Sequence, residues 1–153
     1  MRDMSEPAIK MQVVFDCHDP DRQARFWALA LRYQLEEPPA GYPTWSDYWR
    51  EVGVAEDELE DGYDRVADPA GVLPRVWFQR VPEGKVVKNR LHLDLGVSGG
   101  RSVPIGQRRE RVDAHVATLV AAGATIVLVH DTEGLDHYAV TLQDPEGNEF
   151  CVN

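Results

Sequence analysis

The sequence predicts an α+β fold built from two similar halves. Each half reads as a strand, a helix and then two or three further strands, with an Asp-Pro-x-Gly turn before its last strand. These turns begin at Asp68 and Asp144, so the halves repeat after 144 − 68 = 76 residues. That spacing is too long for a solenoid repeat and fits two fused half-domains. We therefore predict one domain with a duplicated βαβββ module, its halves spanning about 8–83 and 88–153.

The first half begins with a strand over 9–17, which is rich in valine and phenylalanine. Asp19 followed by Pro20 predicts a helix start, because aspartate caps helices and proline favours the first helical position. Apolar residues then recur at helical spacing and predict the buried face of this helix: Phe26, Leu29, Ala30 and Tyr33. The half closes with the turn at Asp68 and a strand over 75–81.

An aromatic and acidic segment over 42–61 interrupts this half and has the character of an insertion. Trp45, Tyr48, Trp49 and Val52 lie at helical spacing, and Gly53 is placed to end a short helix. Such an aromatic stripe belongs either to the core or to a lid over an apolar or cationic ligand. The sequence leaves both interpretations open.

The second half begins with a strand over 90–95, in which leucines alternate with polar residues. A glycine-rich loop over 98–106 leads to a helix that we expect to end at Gly123. Its apolar stripe consists of Val112, Val116, Leu119 and Val120. Strands follow over 125–129, 138–142 and 149–152, the last of them directly after the Asp144 turn.

The composition argues against several classes of partner. Lys and Arg number 16 against 26 Asp and Glu, so the net charge is −10, and such a surface repels nucleic acid and anionic membranes. We interpret Arg108, Arg109 and Arg111 as a solvated helix face. No apolar stretch approaches the roughly 20 residues of a membrane helix, and residues 1–10 lack the apolar core of a signal peptide. The two cysteines make no disulfide framework. We expect a cytoplasmic protein that binds neither nucleic acid nor membrane.

Several motifs together resemble the glyoxalase/bleomycin-resistance/dioxygenase (vicinal oxygen chelate) superfamily. Asp19-Pro20 with Phe26-Trp27 is similar to its first strand-to-helix entry, and the segment 89–95 (Asn-Arg-Leu-His-Leu-Asp-Leu) to the opening strand of its second module. The segments 123–125 and 144–150 resemble its closing elements, and the subgroup that looks most similar is glyoxalase-like and actinobacterial. The resemblance implies two βαβββ modules that pair into an open, barrel-like cleft for a small molecule, in a homodimer.

The resemblance also implies a divalent metal at four positions of the cleft, occupied here by Gln12, Gln79, His92 and Cys151. Hard ions such as manganese and iron prefer carboxylates and imidazoles, whereas this set holds two neutral amides and one soft thiol. We therefore expect no resident cofactor, with zinc or cobalt as the divalent metals that the set still allows.

Alternation along the strands directs a polar set toward the cleft. The catalytic candidates are His92, because an imidazole exchanges protons near neutral pH, and the assisting groups Asp94, Glu149 and Cys151. The ligand-binding candidates are Gln12, Asp16, Trp45, Trp49, Trp77, Gln79 and Arg90. The alternative is that His92 only hydrogen-bonds Asp94 or a glutamine amide, and that Cys151 is an inert thiol.

Two functions of different classes fit these residues. One is an enzyme of lyase or isomerase type that acts on a small molecule through His92. The other is a metal-free protein of bleomycin-resistance type that sequesters a drug or metabolite in an acidic, aromatic cleft. The substitution His92→Ala separates them, because a catalyst loses turnover whereas a sequestering protein keeps most of its affinity.

Overall fold

The computed structural model describes residues 7–153, so most of the polar N-terminal segment considered above (residues 1–6) lies outside it. The first half contains β1 (Val13–Cys17), α1 (Pro20–Leu31), β2 (Gln34–Leu35), α2 (Trp45–Val52), a short 3₁₀ turn (Glu56–Glu58), β3 (Arg65–Ala67) and β4 (Val76–Arg80). The second half contains β5 (Asp94–Leu95), α3 (Ile105–Ala121), β6 (Thr125–His130), β7 (Ala139–Gln143) and β8 (Glu149–Val152). None of the helices in residues 7–153 has the length and apolar character needed to cross a bilayer.

The two halves have the same topology, which confirms the predicted α+β fold of two βαβββ modules. Each half forms a four-stranded sheet, in the orders β1-β4-β3-β2 and β5-β8-β7-β6. In both sheets the first strand runs parallel to the last, and the other pairs are antiparallel. No strand pairing joins one sheet to the other within residues 7–153, so the sheets are not closed into a barrel. The insertion lies between β2 and β3 and contributes α2.

Helix α1 begins as predicted, but the face that it buries is rotated from the one that the apolar spacing indicated. The Asp19 carboxylate accepts a hydrogen bond from the Arg22 backbone N–H at 3.1 Å, and Pro20 is the first helical residue. Phe26 and Ala30 are buried, but Leu29 is half exposed, and Trp27 is completely buried in its place. The reason is that Gln23, Trp27 and Ala30 share the side of α1 that faces the second half.

Aromatic rings from both halves make one core. The Trp27 ring lies 5.0 Å from the Phe15 ring and 4.9 Å from the Phe150 ring, measured between centroids. Phe26 also packs against Phe150 at 6.0 Å, and Phe15 stacks on Phe78 at 5.6 Å. These contacts run from β4 and β1 through α1 to β8, so the halves fold around a shared apolar interior.

A single buried carboxylate, that of Asp144, joins the halves at the edge of this core. Its Oδ2 accepts hydrogen bonds from Gln23 Nε2 at 2.7 Å and Trp27 Nε1 at 3.0 Å, both from α1. Its Oδ1 accepts the backbone N–H groups of Glu146 at 2.9 Å and Asn148 at 3.0 Å, which closes the predicted turn before β8. The Asn148 side-chain amide donates to the same carboxylate. A buried charge is tolerated when it is hydrogen-bonded to this extent.

Three expectations about the second half are wrong. Leu91 is exposed and the first strand is limited to Asp94–Leu95, because Asn89 reaches Glu149 through side-chain hydrogen bonds rather than a backbone ladder. Val120 is half exposed on α3. Arg108 is buried instead of solvated, since its Nε donates to the Val103 carbonyl at 2.8 Å and its guanidinium pairs with Asp136.

The linker between the halves is held by Glu149 on β8. Its carboxylate accepts the Asn89 backbone N–H at 3.0 Å and pairs with Lys85 Nζ at 3.1 Å. The Asn89 hydrogen bond, with Lys85 in support, lowers the pKa of Glu149 to about 2. Glu149 therefore ties the linker to the second sheet.

We predict that Asp144→Asn destabilises the protein by about 3 kcal/mol. The asparagine amide has only one acceptor oxygen, so it cannot accept from the donors at both carboxylate oxygens, and buried N–H groups are left unpaired. The matched control is Asp68→Asn in the equivalent turn of the first half. Asp68 accepts only from the nearby backbone groups of Ala70, Val72 and Leu73, so we expect a clearly smaller loss. Urea unfolding measures both values, and equal losses would contradict the joining role of Asp144.

We predict that Glu149→Gln removes part of the acid sensitivity of folding. A carboxylate whose pKa is lowered from 4.5 to about 2 stabilises the fold above the unfolded pKa, and this stability is lost as the pH falls through the folded value. The free energy of unfolding should therefore fall less steeply in the variant than in the wild type between those two pH values. Glu83→Gln, at an exposed position of the same linker, is the control. Identical pH profiles for Glu149→Gln and wild type would refute this account.

Candidate functional site

The first half contains a cavity of about 520 Å³, a volume ordinary for a small-molecule site. Its wall is formed by α2, by the loop that follows it and by the outer face of β4. Every residue that lines the cavity belongs to the first half, from Gln12 to Arg80. The insertion predicted from the sequence is therefore one wall of a cavity, as the lid interpretation required.

Helix α2 carries two of the three tryptophans that line the cavity, Trp45 and Trp49. Thr44 caps its start by accepting the Asp47 N–H at 3.1 Å, and Gly53 ends it in the left-handed region, with a φ of 110°. Trp45 is buried, donates from Nε1 to the Glu36 carbonyl at 2.8 Å and stacks on Trp49 at 5.9 Å. Trp45 thus acts as both core and cavity wall, while Trp49 is only partly buried.

A guanidinium already lies against this aromatic wall. Arg65 lies 4.6 Å from the Trp45 ring centroid and 5.7 Å from that of Trp49. Its charge is also paired with Asp64 at 2.8 Å, and Asp64 in turn accepts from Trp77 Nε1 at 3.3 Å. The ring faces therefore attract a cation, which is the behaviour expected of an indole quadrupole.

Some charged side chains around the cavity form ion pairs, and two carboxylates do not. Arg80 pairs with Glu60, and Arg75 pairs with Glu36 at 2.8 Å. Glu58 and Asp61 also line the cavity, and within residues 7–153 neither has an ion-pair partner. The two unpaired carboxylates give the cavity a surplus of negative charge.

The loop behind the cavity is fixed to α1 by a close backbone approach. The Tyr63 N–H donates to Asp21 Oδ1 at 2.9 Å. Gly62 has a φ of +89°, and a Cβ at this position would lie 2.3 Å from the same oxygen. Glycine is therefore required here, both for its backbone conformation and for the space that it leaves.

The ligand-binding candidates divide between this cavity and other places. Gln12, Trp45, Trp49, Trp77 and Gln79 line the cavity. Asp16 is not part of its lining; it lies exposed on β1, opposite Gln79 on β4. Arg90 lies exposed in the linker, and two carboxylates of the second half pair with other groups, Asp94 with His92 and Glu149 with Lys85.

Three of the four catalytic candidates gather on the second sheet and in the segment just before β5. The ligand atoms of His92, Asp94 and Cys151 all lie within 4.8 Å of one another, and His92 Nε2 is 3.2 Å from Asp94 Oδ1. The predicted alternation accounts for this, since Leu95, Phe150 and Val152 are buried while Asp94 and Cys151 are not. Glu149 is the exception, because it anchors the linker.

Two polar neighbours of Cys151 were not identified from the sequence. Thr141 Oγ1 lies 3.2 Å from Cys151 Sγ, and His130 Nε2 lies 2.8 Å from the same hydroxyl. Both Thr141 and His130 are partly buried. The only available signal was alternation along β6 and β7, which does not reveal which residues pair across strands.

The four positions that the family resemblance assigns to a metal do not make a hard-metal site here. Gln12 and Gln79 line a cavity that contains no residue of the second half, whereas His92 and Cys151 lie on the second sheet. The glutamines also bring no charge, and manganese or iron sites rely on carboxylates. These residues therefore do not fit the family's hard metal ion, and no reaction step is derived from it.

The chain matches a family model described as a glyoxalase-like domain over residues 12–153. A glyoxalase/bleomycin resistance protein/dioxygenase family enzyme from Burkholderia phytofirmans PsJN is 19% identical, with 93% of this chain and 94% of that chain covered and a TM-score of 0.55. A glyoxalase family protein from Bacillus cereus is 16% identical, with 99% and 97% covered and a TM-score of 0.57.

A mutant fosfomycin resistance protein FosX from Listeria monocytogenes, complexed with Mn(II) and a dihydroxypropylphosphonic acid, is 9% identical. It covers 97% of this chain and 90% of its own, with a TM-score of 0.60. No curated protein matches the chain. Likenesses at these identities show the fold alone. Because the family match spans nearly the whole sequence, the chain belongs to the glyoxalase-like domain family.

Proposed function

We propose that this protein binds and sequesters a small organic molecule in the tryptophan-lined cavity of its first half. The observation that carries the proposal is the combination of a cavity of about 520 Å³, three tryptophans in its wall and two carboxylates without an ion-pair partner in residues 7–153. Pockets of this kind take their affinity from apolar contact and their specificity from a few polar groups.

The lining favours a flat aromatic ligand that carries positive charge. Trp49 and Trp77 are partly exposed and offer ring surface for stacking. Glu58 and Asp61 supply the negative charge, and the position of Arg65 shows that a cation is accepted against these rings. The net charge of −10 adds a long-range attraction for such a molecule.

Sequestration is favoured over catalysis by where the reactive groups lie. His92, Asp94 and Cys151 belong to the second half, and none of them lines the cavity. The arginines of the cavity pair with carboxylates, and its remaining polar groups include the amides Gln12 and Gln79. The cavity contains no imidazole or thiol, and its two unpaired carboxylates, Glu58 and Asp61, are exposed to solvent, which favours binding over proton transfer or nucleophilic attack.

We predict that the planar cation ethidium binds with quenching of tryptophan fluorescence, and that Trp49→Leu weakens its affinity about tenfold by removing a stacking surface. The double variant Glu58→Gln/Asp61→Asn should weaken it about fivefold and reduce its dependence on salt. Fluorescence titration at low and high ionic strength measures both effects.

The matched control for the charge is Asp57→Asn, which neutralises a neighbour that does not line the cavity and should leave affinity unchanged. The anionic aromatic dye anilinonaphthalene sulfonate tests the sign of the charge and should bind less tightly than ethidium. Equal affinities for the two dyes, or ethidium binding that is unaffected by Trp49→Leu, would rule out this cavity as a site for aromatic cations.

A proton-transfer enzyme of lyase or isomerase type is the second candidate, and the His92–Asp94 pair favours it. A carboxylate 3.2 Å from Nε2 orients the imidazole. Cys151 lies beside the pair and would be the assisting group. The substrate in this case would bind on the second sheet, away from the tryptophans.

We predict that His92→Ala leaves ethidium affinity unchanged, because His92 does not line the cavity. For the enzyme candidate, the same substitution should lower turnover of any substrate found by about 100-fold, the usual contribution of a general acid or base. Parallel titration and activity assays of one protein preparation separate the candidates. A loss of ethidium binding in the variant would contradict the division of the sites between the two halves.

A homodimer remains part of this proposal. The edge strand β6 carries Ile126, Val127, Leu128 and Val129, all about half exposed, and exposed apolar strand edges are typical of surfaces that associate. A second copy is the partner that the resemblance noted above implies. The cytoplasmic location also remains a prediction from the sequence.

A further inference from the structure

A second cavity, also of about 520 Å³, lies between the end of α1 and one face of α3. It shares no residue with the tryptophan-lined cavity of the first half. Both charged side chains in its wall are arginines, although the whole chain has a net charge of −10. Its lining consists of Arg32, Val97, Arg111, Ala114, His115 and Thr118. The cavity is therefore a basic site on an acidic protein, and it attracts anions.

The two arginines of this cavity have no carboxylate partner. Seven of the twelve arginines in residues 7–153 form ion pairs, and Arg32 and Arg111 are not among the seven. Arg111 Nη1 donates to the Ser98 carbonyl at 2.9 Å, whereas the Arg32 side chain has no hydrogen bond within residues 7–153. A guanidinium has five N–H donors, so most of the donors of this pair are available to a ligand.

The glycine-rich loop before α3 positions Arg111. The Ser98 carbonyl holds one nitrogen of the guanidinium, and a Cβ at Gly99 would lie 2.6 Å from that same nitrogen. The loop therefore leaves space for the guanidinium only because glycine has no side chain. Arg111 is thus directed by the loop as well as by its place on α3.

Arg32 occupies a backbone position that does not favour arginine. It is the C-cap of α1, with a φ of 56° and a ψ of 36°, and it is the only residue other than glycine with a positive φ in residues 7–153. Its backbone N–H donates to the Leu29 carbonyl, a contact that any non-proline residue makes. Glycine is the usual residue at such a position, because it has no Cβ. The backbone therefore gives no reason for an arginine here.

His115 supplies a buried polar group that lacks one partner. The residue is 7% exposed, and its Nε2 lies 2.9 Å from the Ala30 carbonyl. A carbonyl only accepts hydrogen bonds, so Nε2 carries the hydrogen and Nδ1 of the neutral ring is an acceptor. Nδ1 has no hydrogen-bond partner within residues 7–153. Buried polar atoms are normally paired, so an acceptor of this kind in a cavity wall suits a donor from outside the chain.

We propose that this cavity binds a phosphate group that retains one proton. Arg32 and Arg111 donate to its negative oxygens, because the planar guanidinium matches the geometry of phosphate. His115 Nδ1 accepts a hydrogen bond from its O–H group. The site goes beyond the proposed function, since it lies apart from the tryptophan-lined cavity and takes a ligand of opposite charge.

The His115 acceptor provides a way to distinguish phosphate from sulfate. In weakly alkaline solution both ions are tetrahedral dianions, but only phosphate retains a proton. Imidazoles are neutral in this range and accept at one nitrogen. Sulfate is therefore a control ligand that is matched in charge and shape but has no donor for His115.

The experiment is a calorimetric titration of the full chain with inorganic phosphate and with sulfate in weakly alkaline buffer, at constant ionic strength. We expect phosphate to bind about fivefold more tightly than sulfate, because it makes one more hydrogen bond. Arg111→Gln and Arg32→Gly should each weaken phosphate binding about fivefold, a modest effect since both side chains are exposed. Arg101→Gln is the control, because it removes the same charge from an exposed position that does not line the cavity.

Arg32→Gly also separates binding from folding. Glycine adopts the left-handed conformation without strain, which offsets the entropy that it adds to the unfolded chain. We therefore expect this variant to unfold at the same urea concentration as the wild type while its phosphate affinity falls. A loss of affinity with unchanged stability assigns the effect to the guanidinium.

Phenyl phosphate, titrated in the same way, distinguishes the two sources of the group. The cavity is larger than a phosphate ion, and Val97 and Ala114 add apolar surface to its wall. Tighter binding of phenyl phosphate than of inorganic phosphate would assign the site to an organic phosphate, and weaker binding would assign it to the free ion. Ethidium should not compete with either ligand, because the two cavities share no residue.

Two results would overturn the proposal. The first is phosphate binding that survives the double variant Arg32→Gly/Arg111→Gln unchanged. The second is sulfate binding as tight as that of phosphate in the wild type, which would leave the unpaired nitrogen of His115 without a role in the site.

Discussion

The buried carboxylate of Asp144 is the contact on which the arrangement of the two halves depends. It sits in the turn before β8 and accepts from Gln23 and Trp27 on α1, so one charge closes a local turn and holds a distant helix. The same turn binds the start of α1, since Glu146 accepts the backbone N–H groups of His18 and Asp19. Trp27 is thereby held by its indole N–H on one side and by aromatic rings on the other. The apolar core and the hydrogen bonds to the Asp144 turn therefore stabilise the same orientation of α1.

The hydrogen bonds from α1 to Asp144 make the duplicated halves different. Asp68 occupies the matching turn of the first half but receives hydrogen bonds only from its own loop. The contact between the halves leaves one unfavourable group. The Gln23 side chain donates from Nε2 to Asp144, but its Oε1 is buried without a hydrogen-bond partner. An amide flip would place a carbonyl oxygen against the carboxylate, which is worse than an unpaired acceptor. The unpaired oxygen is therefore the lesser penalty.

Much of the fold follows from local rules, and the parts that do not are set by contacts across the chain. The cap at Asp19, the end of α2 at Gly53 and the strand Glu149–Val152 were predicted because caps, glycine and alternation act over a few residues. Strands β2 and β3 have too few residues to show a period. The burial of Arg108 depends on Asp136 in a distant loop. The cluster of His92, Asp94 and Cys151 was within reach of alternation, but Thr141 and His130 required the strand register.

The comparison of equivalent strand pairs shows how the two sheets came to present different side chains. The first strand meets the last at Asp16 and Gln79 in one half and at Asp94 and Cys151 in the other. Both pairs place an aspartate beside a polar residue, but only the second adds a thiol and a neighbouring imidazole. In the first half Gln79 lines the cavity whose wall is built by the insertion, which the second half lacks. Because a neutral amide beside stacked indoles suits an organic ligand rather than a cation of high charge density, the same duplicated frame carries different side-chain chemistry in its two halves.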